Sequence, residues 1–173
     1  FGTEDDPSLA ARRASGAKPE PISALLEPLK NVQVWRFSLY YFFVFGAFVA
    51  LALWLPRYII DAYGFDIATA GMIGAAYSVP ASIFRAYGGV LSDRYGARRI
   101  MYWTLGVSAL VSFILSYPPT TYVMDGIEGP IEFRLATGVG AFIVLVFVLG
   151  FFMSLGKAAV YKHIPIYYPN RVG

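Results

Sequence analysis

Four apolar stretches, each long enough to cross the ~30 Å hydrocarbon core of a bilayer as a helix, constrain this sequence more than any other feature. They lie at about residues 34–56, 66–91, 99–117 and 135–168. The composition agrees, because 57% of the residues are hydrophobic and only 14% are charged, against about 25% charged in an ordinary soluble domain. The sequence therefore predicts an all-α integral membrane protein with four transmembrane helices joined by short loops.

The first 33 residues are of a different kind. They mix both signs of charge with proline, serine and alanine and show no sustained apolar period, which is typical of a solvated linker. We therefore divide the chain into a linker, residues 1–33, and a transmembrane bundle, residues 34–173. The sequence begins with Phe1 and has no signal-peptide pattern in this segment, so we expect it to be a piece of a longer protein.

The distribution of lysine and arginine predicts the orientation of the spans. Most of these residues outside the spans lie in the linker, around residues 91–99 and at the C-terminal end. The two remaining loops contain only Arg57 and Arg134, beside five acidic residues. Because positively charged loops stay in the cytoplasm, we expect both ends of the chain and the 91–99 loop to be cytoplasmic.

Composition also argues against several function classes. The chain has no cysteine and a single histidine, so it offers neither a thiolate nor an imidazole metal site, and we expect no metal and no cofactor. Its basic residues are not spread over a polar surface that would bind nucleic acid. The spans contain no buried aspartate or glutamate that would act as a base, so the sequence predicts that the protein is not an enzyme.

The second apolar stretch places one arginine among small residues. On a helix, one face contains Gly71, Gly74, Ala75, Ser78, Ala81, Ser82, Arg85, Gly88 and Gly89. Small faces let helix backbones approach closely in lipid, so we expect Arg85 to point at protein. An arginine near the centre of a span costs about 2.5–3.5 kcal/mol on insertion scales and is a candidate functional residue. The alternative is that Arg85 lies near the cytoplasmic end and reaches the headgroups.

The segment GVLSDRYGARR, residues 89–99, follows this stretch and has the pattern G-x-x-x-D-R-x-G-x-R-R. It predicts a turn between two helices, in which Gly96 adopts a positive φ and Asp93 caps a helix or pairs with an arginine. A loop that merely keeps positive charge in the cytoplasm would explain the arginines, but not the spaced glycines and the aspartate.

This pattern resembles the motif that joins the second and third helices in each half of the major facilitator superfamily. Together with GFFMSLGKAAVYKHIPIYYPNRVG near the C-terminus, it resembles the nitrate/nitrite porter family of the NarK type. The resemblance implies helices 7 to 10 of a twelve-helix bundle, preceded by the central cytoplasmic linker. It further implies a secondary active transporter of nitrate or nitrite in the bacterial cytoplasmic (inner) membrane, working by alternating access. Proton-coupled symport and nitrate/nitrite exchange both remain open.

The resemblance also implies roles for particular residues. Arg85 matches the arginine of the eighth helix that binds the anion, and Tyr41 and Phe45 match two aromatic residues of the seventh helix that face the site, with Tyr40 as the alternative if the register shifts by one. A guanidinium suits nitrate because it donates two parallel hydrogen bonds to one pair of oxygens. The motif residues are expected to gate the conformational cycle: Gly89, Asp93, Arg94, Gly96, Arg98 and Arg99.

The segment GKAAVYKHIP contains the other unusual charges. Lys157 follows a long apolar run and shares a helix face with Tyr161, and His163 titrates near neutral pH. Both are candidates for coupling transport to protons. The alternative is that Lys157, Lys162 and His163 all lie at the cytoplasmic headgroups.

The expected partners are therefore the nitrate or nitrite anion, protons, membrane lipid and the remaining transmembrane helices of the same polypeptide, without nucleic acid. Three other interpretations remain open. One is a major facilitator transporter of another small anion or metabolite, one is a membrane-embedded enzyme, and one is a membrane adaptor that does not transport.

Overall fold

The structure is a computed structural model that describes residues 15–16, 26–117, 119–127 and 129–167. In this part of the chain it contains five α-helices and one β-hairpin. The helices are α1 (Val32–Tyr41), α2 (Phe48–Tyr63), α3 (Ile67–Tyr95), α4 (Ala97–Leu115) and α5 (Val139–Tyr167), and the strands are β1 (Thr120–Gly126) and β2 (Gly129–Leu135). A short π-helix, Phe42–Ala47, makes α1 and α2 one continuous helix.

The chain divides into two compact units, Phe1–Arg36 and Phe37–Gly173. In the first, a 3-10 helix spans Glu27–Lys30, and Trp35 donates an indole hydrogen bond to the carbonyl of Leu29 at 2.8 Å. The linker predicted for residues 1–33 lies mostly outside the described residues. The second unit contains α2 to α5 and the hairpin.

Helices occupy all four places where spans were expected. Three segments are long and apolar enough to cross a membrane, namely Val32–Tyr63, Ile67–Tyr95 and Val139–Pro165. At the third expected place, α4 is a helix of 19 residues. That α4 also crosses the bilayer, which would give four spans, stays a prediction.

The first helix is longer than expected. The predicted span ended at Pro56, but α2 continues to Tyr63 and ends at Gly64, whose φ of 70° forms a left-handed C-cap. A proline removes one backbone hydrogen bond, which a membrane helix tolerates when its neighbours compensate. Here the Pro56 ring fits against Gly74 of α3, where an added Cβ would lie only 3.0 Å from it.

The connection between α4 and α5 is not the short loop that was expected. Residues 120–135 form an antiparallel hairpin in which Thr120 pairs with Leu135 and Gly126 with Gly129. The fourth helix was expected to begin at about Leu135, but Leu135 is the last residue of β2. The signal was available, because apolar and polar residues alternate from Ile131 to Leu135 with the period of a strand.

Helix α5 is the centre of the second unit and packs against both α3 and α4. The approach to α3 is close, since a Cβ at Gly88 would lie 2.8 Å from the Cα of Leu155. On the other side, Thr104 of α4 donates its hydroxyl to the carbonyl of Phe152 at 3.1 Å. These contacts fix the rotation of α5, and with it the positions of the polar side chains near its C-terminal end.

Candidate functional site

The small-residue face of α3 divides into two lines. Ala81 and Gly88 are buried, whereas Ser82 and Arg85 are exposed and line a groove of about 540 Å³ between α3 and α5. Within the described part of the chain, Arg85 therefore faces both α5 and an open groove and is not buried. Because an α-helix has 3.6 residues per turn, residues three or four positions apart do not align exactly along the helix axis. Some residues of this face therefore lie in the contact with α5 and others lie beside it.

Arg85 lies over an aromatic side chain of α5. Its guanidinium carbon is 5.1 Å from the ring centroid of Tyr161, within the range of a cation–π interaction. The hydroxyl of Tyr161 is in turn 2.9 Å from the hydroxyl of Tyr41, and the two rings meet edge to face at 5.5 Å. Tyr161 thus connects Arg85 of α3 to Tyr41 of α1.

The two aromatic residues expected from the first helix do lie together. The rings of Tyr41 and Phe45 are stacked with their centroids 5.2 Å apart and their planes 15° apart. Phe45 belongs to the π-helix Phe42–Ala47. Such wide turns are frequent at functional sites, because they reorient side chains without breaking the helix.

Lys157 lies one turn of α5 before Tyr161 and is buried, with only 7% of its surface exposed. Its ammonium nitrogen is 3.1 Å from the ring centroid of Phe48 and 5.5 Å from that of Phe45. Within the described part of the chain it forms no ion pair with a carboxylate. Aromatic faces compensate only part of the cost of burying a cation. A lysine that anchors the helix at the lipid headgroups would be exposed, so the burial of Lys157 argues against that role.

His163 is separate from this group of side chains. Its ring packs edge to face on Phe37 with a centroid distance of 5.3 Å. The neighbouring Lys162 lines the groove with Arg85 and Tyr161, and its ammonium donates to both carboxylate oxygens of Asp93 at 2.6 Å. The expectation that Asp93 caps a helix or pairs with an arginine is therefore wrong, because its partner is a lysine of α5.

The motif at residues 89–99 is helical rather than a loop. Helix α3 continues to Tyr95 and α4 begins at Ala97, so only Gly96 separates them. Gly96 has a φ of 87°, as expected for a tight turn that a side chain would strain. Its amide donates to the carbonyl of Ser92 at 3.0 Å and closes the end of α3.

The other motif residues lie in different places. Gly89 lines the groove beside Arg85. Arg94 and Arg98 lie over the rings of Tyr95 and Tyr102, at 5.5 Å and 5.8 Å from guanidinium carbon to ring centroid. Arg99 lines a second cavity of about 370 Å³ between α3, α4 and α5. The groove at Arg85 thus also contains Gly89 of the motif and Lys162, the ion-pair partner of Asp93.

Comparison with known proteins decides the family. The family model described as Major Facilitator Superfamily matches residues 1–173. The chain belongs to the major facilitator superfamily. It is accordingly an integral membrane protein with the helical fold of that superfamily, whose members are transporters.

Individual relatives in the superfamily are named as nitrate or nitrite transporters. The chain is 49% identical over 156 residues to the probable nitrate/nitrite antiporter NarK1 of Thermus thermophilus, an alignment that covers 88% of this chain and 35% of that protein. It is 34% identical over 122 residues to the probable nitrate/nitrite transporter NarK2 of Mycobacterium tuberculosis H37Rv, covering 70% and 31%. The nitrite extrusion protein of Bacillus subtilis is 28% identical over 144 residues, covering 83% and 32%.

These similarities confirm the resemblance to the NarK-type nitrate/nitrite porters. The chain spans about a third of the length of the curated relatives it matches. No solved structure is significantly similar to it.

The residue that sequence reasoning undervalued is Tyr161. The sequence places Tyr161 on one helix face with Lys157 but gives it no role in the site, whereas the structure places it in contact with both Arg85 and Tyr41. The i, i+4 spacing to Lys157 was the available signal. Sequence alone could not bring α5 and α1 together, because their contact depends on the packing of three helices.

Proposed function

We propose that this chain is the anion-binding part of a secondary transporter of nitrate and nitrite. The observation that carries the proposal is Arg85, an arginine within an apolar helix that is held by Tyr161 beside Tyr41 and open to a groove. Nitrate and nitrite are small, weakly hydrated monoanions. A guanidinium donates to two of their oxygens at once, and a tyrosine hydroxyl adds a third donor.

Phe45 would complete the site by excluding water. Its ring stacks on Tyr41 and presents an apolar surface beside the hydroxyls. Once the remaining helices of the polypeptide cover the open groove, the anion would lie in a site of low dielectric, where the arginine acts more strongly than in water. The relatives named for nitrate and nitrite support this choice of substrate.

Transport would follow alternating access, in which two groups of helices rock around a fixed site. The Asp93–Lys162 ion pair joins the end of α3 to α5 at the side of the membrane where the basic residues are concentrated. We assign that side to the cytoplasm of a bacterial inner membrane by the distribution of positive charge. In this proposal the motif residues govern the rate of the conformational change, while Arg85 supplies the charge that binds the anion; Gly89 and Lys162 line the same groove as Arg85.

Lys157 is our candidate for proton coupling. It is buried one turn from Tyr161 and lies between the rings of Phe45 and Phe48, so a change in its charge would be felt at the anion site with little screening. His163 is the weaker candidate, because it packs on Phe37 and not on this group.

The test is uptake and binding of nitrate by the full-length protein in proteoliposomes. Arg85→Lys keeps the charge and loses the planar fork, so nitrate affinity should fall by more than about tenfold, or ~1.4 kcal/mol. Arg57→Lys is the matched control, since Arg57 forms an exposed ion pair with Asp61 at 2.8 Å and does not line the groove. Equal affinity in both variants would refute the assignment of Arg85.

The same assay separates the alternatives. A transporter of another small anion would keep Arg85 dependence but prefer, for example, formate or chloride in competition with nitrate. A membrane adaptor would transport no nitrate, whether or not Arg85 or Arg57 is substituted. An enzyme is disfavoured by the sequence, in which the four apolar stretches contain no aspartate or glutamate apart from Asp66 at the very start of the second.

A further inference from the structure

The β1–β2 hairpin has one apolar face. Tyr122 pairs with Phe133 and Met124 with Ile131, so these four side chains share a face, because paired residues and alternate residues of a strand point the same way. Leu135 extends this face toward α5. The opposite face is mainly polar, with Thr121, Val123, Asp125, Glu132 and Arg134.

The apolar face is uncovered in the part of the chain that the structure describes. Its five large side chains are between 41% and 63% exposed. Neither strand packs on any of the five helices. An exposed apolar surface of this kind, bordered by polar residues, marks a site of interaction with another molecule or with a membrane.

The chain holds the hairpin close to the ends of two helices. Helix α4 ends at Leu115 and β1 begins at Thr120, while β2 ends at Leu135 and α5 begins at Val139. At full extension these links place the base of the hairpin within about 14–18 Å of both helix ends. Because α5 is long and apolar enough to cross the membrane, these short links would hold the base of the hairpin near the membrane–water boundary.

The hairpin cannot lie deeper. A two-stranded sheet has two edges with unpaired N–H and C=O groups, and such edges do not occur exposed within hydrocarbon. At the level of the headgroups, water satisfies these edges while an apolar face can still reach the start of the acyl chains. Tyrosine is enriched at this level for the same reason.

One contact joins the apolar face of the hairpin to the end of α4. The hydroxyl of Tyr122, on the apolar face, is hydrogen-bonded to the hydroxyl of Tyr117, just beyond the end of α4. Before it, α4 exposes Phe113 and Ile114. The apolar face of the hairpin is therefore joined through Tyr122 to the segment that directly follows the exposed apolar end of α4.

We propose that the apolar face of the β1–β2 hairpin docks on the phospholipid bilayer, at the boundary between headgroups and acyl chains of the leaflet at this end of α4 and α5. The polar face then lies toward water. This surface would anchor the α4–α5 connection while the bundle changes conformation.

Site-directed spin labelling tests this proposal in the full-length protein, reconstituted in vesicles of phosphatidylcholine and phosphatidylglycerol. This chain has no cysteine, so single cysteines can be placed after replacement of any cysteine in the rest of the polypeptide. Phe133→Cys labels the apolar face, and Glu132→Cys, the adjacent residue on the other face, is the matched control. Oxygen concentrates in the acyl region and a nickel chelate concentrates in water, so the ratio of the two accessibilities reports depth.

The expected result is a ratio several-fold higher at position 133 than at position 132. Equal ratios would place both faces in water and overturn the proposal. Protection of position 133 from both reagents would also overturn it, because the face would then be covered by protein. A second pair, Ile131→Cys and Val123→Cys, repeats the comparison if a label at position 133 prevents folding.

Discussion

Lys162 donates to both carboxylate oxygens of Asp93 at 2.6 Å, and this ion pair joins the C-terminal end of α3 to α5. The side chains are 47% and 62% exposed, so the pair contributes at most about 1 kcal/mol to stability. A contribution this small does not hold the fold together. It is enough to bias two conformations of the protein that differ by a similar free energy.

The first prediction concerns this pair. Asp93→Asn should slow nitrate transport by the full-length protein by up to about fivefold, the equivalent of ~1 kcal/mol, while nitrate affinity stays unchanged. The exchanged pair Asp93→Lys with Lys162→Asp should restore part of the rate, because it restores the attraction. A loss of affinity as large as that of Arg85→Lys would show that Asp93 itself contributes to anion binding.

The second prediction concerns Tyr161. Tyr161→Phe keeps the ring beneath Arg85 but removes the hydrogen bond to Tyr41, whose net worth is about 0.5–1.5 kcal/mol. Nitrate affinity should fall by about two- to tenfold. Tyr161→Leu removes the ring as well and should lower affinity further. Phe151→Leu, which removes another ring of α5 that lies away from the groove, is the control and should bind normally.

The apolar stretches predicted the helical fold, and the motif at residues 89–99 predicted the family. Both could be recognised from sequence because each is contained in a short, continuous segment. Helix lengths of about 20 apolar residues and the turn at Gly96 need no knowledge of neighbouring helices. The hairpin at residues 120–135 was missed because its alternating pattern is short and borders a long apolar run. The partner of Asp93 was also missed, because Lys162 is 69 residues away in sequence.

The third prediction concerns helix packing at Gly88. An added Cβ would lie 2.8 Å from the backbone Cα of Leu155, which cannot move without displacing α5. Gly88→Ala should therefore lower the free energy of unfolding by about 1–3 kcal/mol. Gly71→Ala in the same helix meets nothing within 4 Å and should be neutral or stabilising by up to about 1 kcal/mol. Thermal unfolding in detergent compares the two, and equal melting temperatures would contradict the close approach of α3 and α5.

The fourth prediction concerns the start of α3. Asp66 accepts hydrogen bonds from the amides of Ala68 and Thr69 and from the Thr69 hydroxyl at 2.6 Å, and these bonds lower the pKa of its carboxyl. The cap therefore contributes stability above the ordinary pKa of an aspartate and loses it as pH falls below that value. Asp66→Asn keeps a capping oxygen and should show a weaker fall in melting temperature between pH 6 and about pH 3. An unchanged pH profile would exclude Asp66 as its source.

The last prediction concerns Lys157, and it decides between exchange and proton-coupled uptake. A monoanion bound opposite Arg85 would offset one of the two positive charges of the site and favour a protonated Lys157, whereas the empty site would hold two uncompensated positive charges at low dielectric and favour loss of one proton. Lys157 is the group placed to release it, since its ammonium lies against Phe48 and Phe45 rather than against a carboxylate in the described part of the chain. In proteoliposomes, uptake driven by an imposed pH gradient should be lost in Lys157→Gln, while nitrate/nitrite exchange without a gradient persists. Lys162→Gln, at the exposed pair with Asp93, should retain its response to the gradient. If the unmodified protein exchanges nitrate for nitrite at a rate indifferent to the gradient, and Lys157→Gln does so equally fast, then the buried lysine has no part in coupling and the symport mechanism is excluded.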